Sequence, residues 1–314
     1  MIKKNNIHVY DVSWLNHCDG GIINNFFEPE SLQELKELCM SFNVNHEDFD
    51  LIGHTSNIYF LPSFSSKNMV TTRKLKKYEV RDSEIYCECG VSVSKLARDM
   101  VDEGVQGFEG LVDLPGTIGA AVYGNAGCFG CSITSLLLSV DLLLPNGEVK
   151  TLSPKELSFS KRSSVLKRKE LSGVILSVRL HKRCADKVML QKKAEEYRNI
   201  RKKTQPGPKD NLGSIFSNRG KPRLRFKIAV LLANFLSFIC MFWLGDKENK
   251  KLCKKTVLFT LLGAKHLEPY VYGWNRFIWR DCESHDIFWD FVRYHKKFFT
   301  SSEFEIEIKG DYLI

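Results

Sequence analysis

Residues 107–130 read GFEGLVDLPGTIGAAVYGNAGCFG, and the fold turns on how this stretch is read. It carries seven glycines and several alanines among apolar residues. A glycine inside a helix costs about 1 kcal/mol relative to alanine, so the composition is wrong for an ordinary helix. Glycine lets backbone pass where a side chain would intrude, which suits close approach to a flat or phosphorylated ligand. Thr117 and Asn125 supply short hydrogen-bonding groups. The competing reading is a set of tight turns around a packed, alanine-rich helix, and spacing alone leaves the two open.

Upstream, 50–52 predicts a short strand ending at Gly53, and strand resumes over 58–61. Between them lies the polar turn Gly53-His54-Thr55-Ser56-Asn57. Strand, tight polar loop, strand is a good place to cradle a phosphate through backbone N–H groups. A helix is expected over 28–41, with Pro29 near its start and Leu32, Leu35 and Leu38 on a shared face. Another strand is expected over 85–89 and another helix over 93–103. Downstream, 136–143 reads as strand and Pro145-Asn146-Gly147 as a hairpin turn leading to Val149. A strand over 171–180 and a charged helix over 187–203 follow. The segment TQPGPKDNLG, 204–213, is a turn-rich connector and a candidate domain boundary. Beyond it come an apolar segment, the aromatic stretch VYGWNRFIW, a helix over 286–299 and a terminal strand, FEIEIKG. Strands and helices mix without regular βαβ spacing, and no G-x-G-x-x-G follows the first strand. An α+β class therefore fits better than a Rossmann fold.

Composition narrows the function classes. A chain of 314 residues has room for two or three domains, and its 43% hydrophobic content excludes global disorder. The net charge of +9 suits either simple solubility or an anionic cofactor or substrate. Nucleic acid is not expected, because no zinc-finger spacing, RNA-binding signature or basic stripe with interleaved aromatics occurs. Ten cysteines are present, including Cys87 and Cys89 on one strand face and the pair Cys128-x-x-Cys131. Neither pair is completed by a second pair or by spaced histidines, so no metal site is expected. The opening MIKKNNIHVY lacks the apolar core of a secretory signal, and reduced thiols in a cytoplasm are the simplest account. Residues 228–244, IAVLLANFLSFICMFWL, carry no charge and sit at the short limit for a bilayer span. A buried helix of the C-terminal part is the favoured reading, with a span or a membrane-touching helix as alternatives.

These motifs resemble the UDP-N-acetylenolpyruvoylglucosamine reductases, flavoenzymes of peptidoglycan precursor synthesis. Their flavin part is a two-lobed, PCMH-type FAD-binding module of the vanillyl-alcohol-oxidase superfamily, followed by an α+β substrate-binding domain. The resemblance implies lobes at 1–75 and 76–205 and a substrate domain at 206–310. The family's Gly-x-Gly-Ser-Asn loop matches Gly53, His54, Thr55, Ser56 and Asn57, with Thr55 in place of the second glycine. The family's long glycine-rich stretch matches 113–130 and implies that Pro115, Gly116, Thr117, Gly119, Ala120, Asn125, Ala126 and Gly127 line the FAD.

Three catalytic positions carry over: Arg162 and Ser214, each within a matching local pattern, and Glu305 near the C-terminus. Reduced flavin would deliver hydride to an enol ether conjugated to a carboxylate. Arg162 and Glu305 would then stabilise the resulting enolate, and Ser214 would protonate its α-carbon. FAD, NADPH as co-substrate, a nucleotide-sugar substrate and a monomer are what the resemblance implies. Lys161 stands where the family has a tyrosine. The segment after Asn218 departs furthest from the family pattern, which leaves another nucleotide sugar or carboxylate, a non-catalytic flavin protein or a membrane-associated structural paralogue as alternatives.

Overall fold

In the computed structural model, residues 1–15, 20–207, 210–218, 220–244 and 247–311 are described. The chain opens with β1 (Ile2–His8), β2 (Ile22–Glu28), α1 (Leu32–Val44), β3 (Asp50–Ile52), β4 (Ile58–Phe60) and β5 (Ser66–Thr71). Four of these strands form one sheet in the order β1-β2-β5-β3. The β1–β2 pair is antiparallel, whereas β5 runs parallel to both β2 and β3. The Ser31 side chain accepts from the Glu34 N–H at 3.2 Å and starts α1, so Pro29 lies before the helix rather than within it. Leu35, Leu38, Cys39 and Phe42 form the buried face of α1.

A second unit follows: β6 (Tyr78–Val80), β7 (Glu84–Glu88), α2 (Val93–Asp102), α3 (Ile118–Tyr123), β8 (Gly127–Cys128), β9 (Cys131–Ser132), α4 (Ile133–Leu136), β10 (Leu137–Leu143), β11 (Val149–Leu152), β12 (Val174–His181) and α5 (Lys187–Thr204). Five of its strands make an antiparallel sheet in the order β11-β10-β12-β7-β6. Alternation explains its inner face, since Ile85 and Cys87 on β7 and Val178 and Leu180 on β12 all bury completely. The buried face of α1 shares one apolar core with this second sheet. Gly90 lies where the two sheets meet: a Cβ there would stand 1.8 Å from the Thr72 carbonyl oxygen.

The remainder comprises β13 (Phe216–Asn218), α6 (Leu224–Leu244), α7 (Lys247–Leu261), α8 (Ser284–Phe298), β14 (Glu303–Phe304) and β15 (Glu307–Lys309). Its core is aromatic, with Phe216, Phe277, Trp279, Phe288 and Phe291 all buried. Tyr59 and Leu61, from β4 and the residue after it, belong to the same core. Segments far apart in the sequence are joined here: β15 pairs parallel with β4, Glu307 opposite Ile58. Just before it, β14 pairs antiparallel with β13.

The apolar segment corrects one expectation. Residues 228–244 do lie in a helix, α6, but it is not a buried one. Phe226, Ala229, Ala233 and Ser237 are covered, whereas Leu231, Phe235 and Phe238 are 67%, 63% and 56% exposed. The cause is that α7 packs along one side of α6 and leaves the opposite face open. Among the described residues, no helix is long and apolar enough to cross a membrane.

Candidate active site

The glycine-rich stretch is neither of the two sequence readings alone. It contains one short helix, α3, flanked by backbone that must pass close to other backbone. Thr117 caps α3, accepting from the Ala120 N–H at 3.4 Å. Gly119 lies so near Cys89 that a Cβ would meet the Cys89 carbonyl oxygen at 3.1 Å. Its N–H donates to that same carbonyl at 2.8 Å, which fixes the start of α3 against the end of β7.

The Gly53–Asn57 turn comes to the same place. A Cβ on Gly53 would stand 2.5 Å from Thr117 Oγ1, and one on Gly116 would stand 3.5 Å from Ser56 Oγ. The two loops expected to bind one ligand are thus adjacent, although about 60 residues separate them. Thr55 takes the left-handed conformation, φ +58, in the position where the resemblance calls for glycine. Its hydroxyl donates to the Val12 carbonyl at 3.0 Å, and Arg73 donates to the Gly53 carbonyl at 2.9 Å. Those bonds hold the turn open. Among the described residues, the backbone N–H groups of His54, Thr55, Ser56 and Asn57 have no hydrogen-bond acceptor. Such a run of free N–H groups around a left-handed residue is an anion cradle. Burial, with Arg73 nearby, lowers the pKa of His54 and favours its neutral form. Pro115 and Ala120 are exposed beside this cradle.

At its far end the stretch reaches the catalytic candidates. Asn125 takes φ +46, and its side-chain amide donates to the Ser160 carbonyl at 2.7 Å. Thr134 donates its hydroxyl to the Asn125 side-chain oxygen. Ala126 receives the Ile133 N–H on its carbonyl at 2.9 Å. The Ser160 and Ser163 backbones exchange two hydrogen bonds, so Lys161 and Arg162 form a tight turn with Arg162 at φ +57. The Arg162 guanidinium donates to the Gly127 carbonyl at 2.8 Å and the Asn125 carbonyl at 3.4 Å. Its Nε faces Glu305 Oε1 at 2.9 Å.

Glu305 comes from the other end of the chain. Burial raises its pKa above the ordinary carboxyl value, against the opposing charges of Arg162, Lys167 and Lys161. Its backbone is fixed on three sides. The N–H donates to the Ile215 carbonyl at 2.8 Å, and the carbonyl accepts from the Asn57 amide at 3.1 Å and from Lys167 Nζ at 3.5 Å. Ser214 is the residue before Ile215 and follows Gly213, which takes φ +80 with open space on its Cβ side. Arg162, Glu305, the Asn57 end of the first loop and the segment around Ser214 therefore converge.

Both glycine-bearing loops lie within a part of the chain that matches known proteins. Residues 24–153 match the family model described as FAD binding domain. The UDP-N-acetylenolpyruvoylglucosamine reductases of Bacillus pumilus and Carboxydothermus hydrogenoformans are 30% and 32% identical to the chain over 200 residues each. Each alignment covers 63% of this chain and 66% of the relative. Over that part the chain is similar to the UDP-N-acetylenolpyruvoylglucosamine reductases. The matched part spans just under two thirds of those relatives. The crystal structure of the family's Thermus caldophilus reductase superposes with a TM-score of 0.67 at 19% identity. That comparison covers 98% of this chain and all of the other, so the two share one α+β fold.

Three contributors had no role assigned from sequence. Arg73 braces the first loop, and nothing in its surroundings, TTRKLKK, marks it among neighbouring basic residues. Asn275 accepts the Phe216 N–H on its side-chain oxygen at 2.8 Å, and its carbonyl accepts the Ile215 N–H at 2.9 Å, fixing the strand after Ser214. Ser164 is fully buried, donates to the Tyr123 carbonyl at 2.7 Å and ties the Arg162 turn to α3. The Cys128-x-x-Cys131 pair lies on the short β8–β9 ladder with both thiols free. Burial raises the pKa of Cys131, the opposite of what a reactive redox thiol needs.

Proposed function

We propose that this chain is an FAD-dependent, NADPH-using reductase that converts UDP-N-acetylglucosamine enolpyruvate to UDP-N-acetylmuramate. The observation that carries the reading is the Arg162–Glu305 pair, set between a glycine-lined cradle and the loop that bears Ser214. The names of these relatives support the substrate and the reductive direction.

The residues present fit FAD. Gly53, His54, Thr55, Ser56 and Asn57 offer free backbone N–H groups for its pyrophosphate. Pro115, Gly116, Thr117, Gly119 and Ala120 provide a neighbouring wall low in side-chain bulk, which Asn125, Ala126 and Gly127 continue toward Arg162. FAD, when bound, supplies the hydride. Arg162 binds the substrate carboxylate and offsets the negative charge that develops on it. Glu305, its pKa raised by burial, donates a hydrogen bond to the same charge when its carboxyl is protonated. Ser214 gives a proton to the substrate α-carbon. The same reading takes the working unit as a cytoplasmic monomer, with lobes at 1–75 and 76–205 and a substrate domain at 206–310.

The test is stopped-flow reoxidation of the NADPH-reduced protein by UDP-N-acetylglucosamine enolpyruvate, beside a panel of other enoyl carboxylates. The purified protein should be yellow. Ser214→Ala should keep flavin reduction and lose the second half-reaction. A protein that takes up no FAD, or a Ser214→Ala variant reoxidised at the parent rate, overturns the reading.

A further inference from the structure

The face of α6 turned away from α7 is unlike the rest of the surface. Leu224, Ile228, Leu231, Phe235, Phe238 and Ile239 are exposed on it at spacings of three and four, a continuous apolar stripe along the helix. With 100° per residue, the exposed apolar positions of this helix span an arc of about 160°. Their exposed area is on the order of 800 Å², more than the roughly 300–600 Å² of the largest patch on an ordinary soluble monomer. The covered face carries Ala229, Ala233 and Ser237, small residues at four-residue spacing that let α7 approach closely. Small residues inward and large apolar residues outward is the reverse of a water-facing helix hairpin and matches one set in lipid.

Charge identifies the occupant. Lys221, Arg223, Arg225 and Lys227 are all exposed and crowd the first turn and its approach. No acidic residue occurs between positions 221 and 244. A protein partner of ordinary kind would meet a rim of mixed donors and acceptors around an apolar centre. Here the polar edge is of one sign and sits at one end. That arrangement suits lipid phosphates, with long basic side chains reaching the headgroups while the stripe enters the acyl boundary.

We propose that α6 and the basic segment before it dock the protein onto the surface of an anionic bilayer. The contact is along the surface and requires no span. It rests on residues outside the candidate active site, so it stands or falls separately from the proposed reduction.

The experiment is flotation of the full chain, purified without detergent, with vesicles of phosphatidylcholine alone or doped with phosphatidylglycerol. The chain should float with the anionic vesicles and much less with the neutral ones, and high salt should weaken the capture. Leu231→Glu with Phe235→Glu should cut capture at least about tenfold, since both charges would enter the acyl boundary. Arg225→Gln with Lys227→Gln leaves the apolar stripe intact and should bring capture on anionic vesicles down to the neutral level. Failure of the parent chain to float overturns the proposal, as does equal capture of the Leu231→Glu, Phe235→Glu variant. A dimer seen by light scattering without vesicles and dissolved by that same double substitution would overturn it too, and would assign the face to a second copy of the chain.

Discussion

Replacing Arg162 with alanine should destabilise the protein by an amount that depends on pH. Arg162 Nε lies 2.9 Å from Glu305 Oε1, with the two side chains 30% and 18% exposed. Exposed ion pairs contribute up to about 1 kcal/mol, and breaking fully buried ones costs about 3–5 kcal/mol, so about 1.5 kcal/mol is expected for this half-buried pair at neutral pH. The guanidinium also donates to two carbonyls, and losing those bonds adds a part that does not vary with pH. The variable part comes from Glu305. Burial already raises its pKa, and Arg162 is foremost among the charges holding it down. Without Arg162 the folded-state value climbs further. A carboxyl whose folded pKa lies above its unfolded pKa binds more protons when folded, so stability falls as pH rises between the two values. The Glu305 penalty in the variant is therefore absent below the unfolded carboxyl pKa, about 4.3, and complete above the raised folded value. Urea unfolding of parent, Arg162→Ala, Glu305→Gln and the double variant, repeated from acid to neutral pH, isolates the term because the carbonyl bonds cancel in the cycle. A coupling between the two positions that is zero, or that stays the same across that pH range, would refute the reasoning.

Other outcomes follow from the same geometry. Gly53→Ala should weaken FAD uptake at least about tenfold in a fluorescence titration, because its Cβ would fall 2.5 Å from Thr117 Oγ1, and adding Thr117→Ala should restore part of the affinity. Gly90→Ala, with a Cβ 1.8 Å from the Thr72 carbonyl oxygen, should cost more than about 2 kcal/mol in thermal unfolding, since the contact is with backbone that cannot turn aside. Burial pushes the thiols of Cys39, Cys87 and Cys89 up to about 12, so peptide-resolved alkylation at mildly alkaline pH should modify exposed Cys184 and Cys282 long before them. Asn275→Ala should lower turnover more than flavin affinity, because Asn275 fixes the strand beside Ser214 and touches neither flavin loop.

Much of the candidate site is legible in sequence because it is made of backbone. Backbone that runs close against backbone excludes side chains, and residues 107–130 record that exclusion as glycine, as at Gly110, Gly119 and Gly127. Strands with an apolar run or alternation, such as β10 and β7, are legible for the usual reason. By contrast, β1 reads IKKNNIH, an edge strand whose faces are almost entirely polar, and pattern reading passes over it. β2 and β5 carry asparagines at their paired centre, Asn25 opposite Asn68, which hides their strand character. The helix α7 begins KENKKLCKK and shows apolar character only in its second half. The juxtaposition of Arg162 with Glu305 has no local signature at all, since 143 residues separate them, and only the resemblance to the family placed both at one site. For α6, hydrophobicity predicted a helix and said nothing about what would cover it.

The pairing of β15 with β4 has a consequence for assembly. Asn57 meets the Glu305 carbonyl across a sequence separation of 248 residues. Closing a connection of that length is slow, and everything between must be compact before the ends can meet. During synthesis both flavin loops emerge, and have their sheets, long before the segment carrying Glu305 leaves the ribosome. A chain halted between Leu180 and Phe304 would thus hold a nearly finished cradle whose cation, Arg162, has no carboxylate to face. The segment carrying Glu305, made long after both loops, is the one that turns a ligand-holding surface into a charge-balanced site.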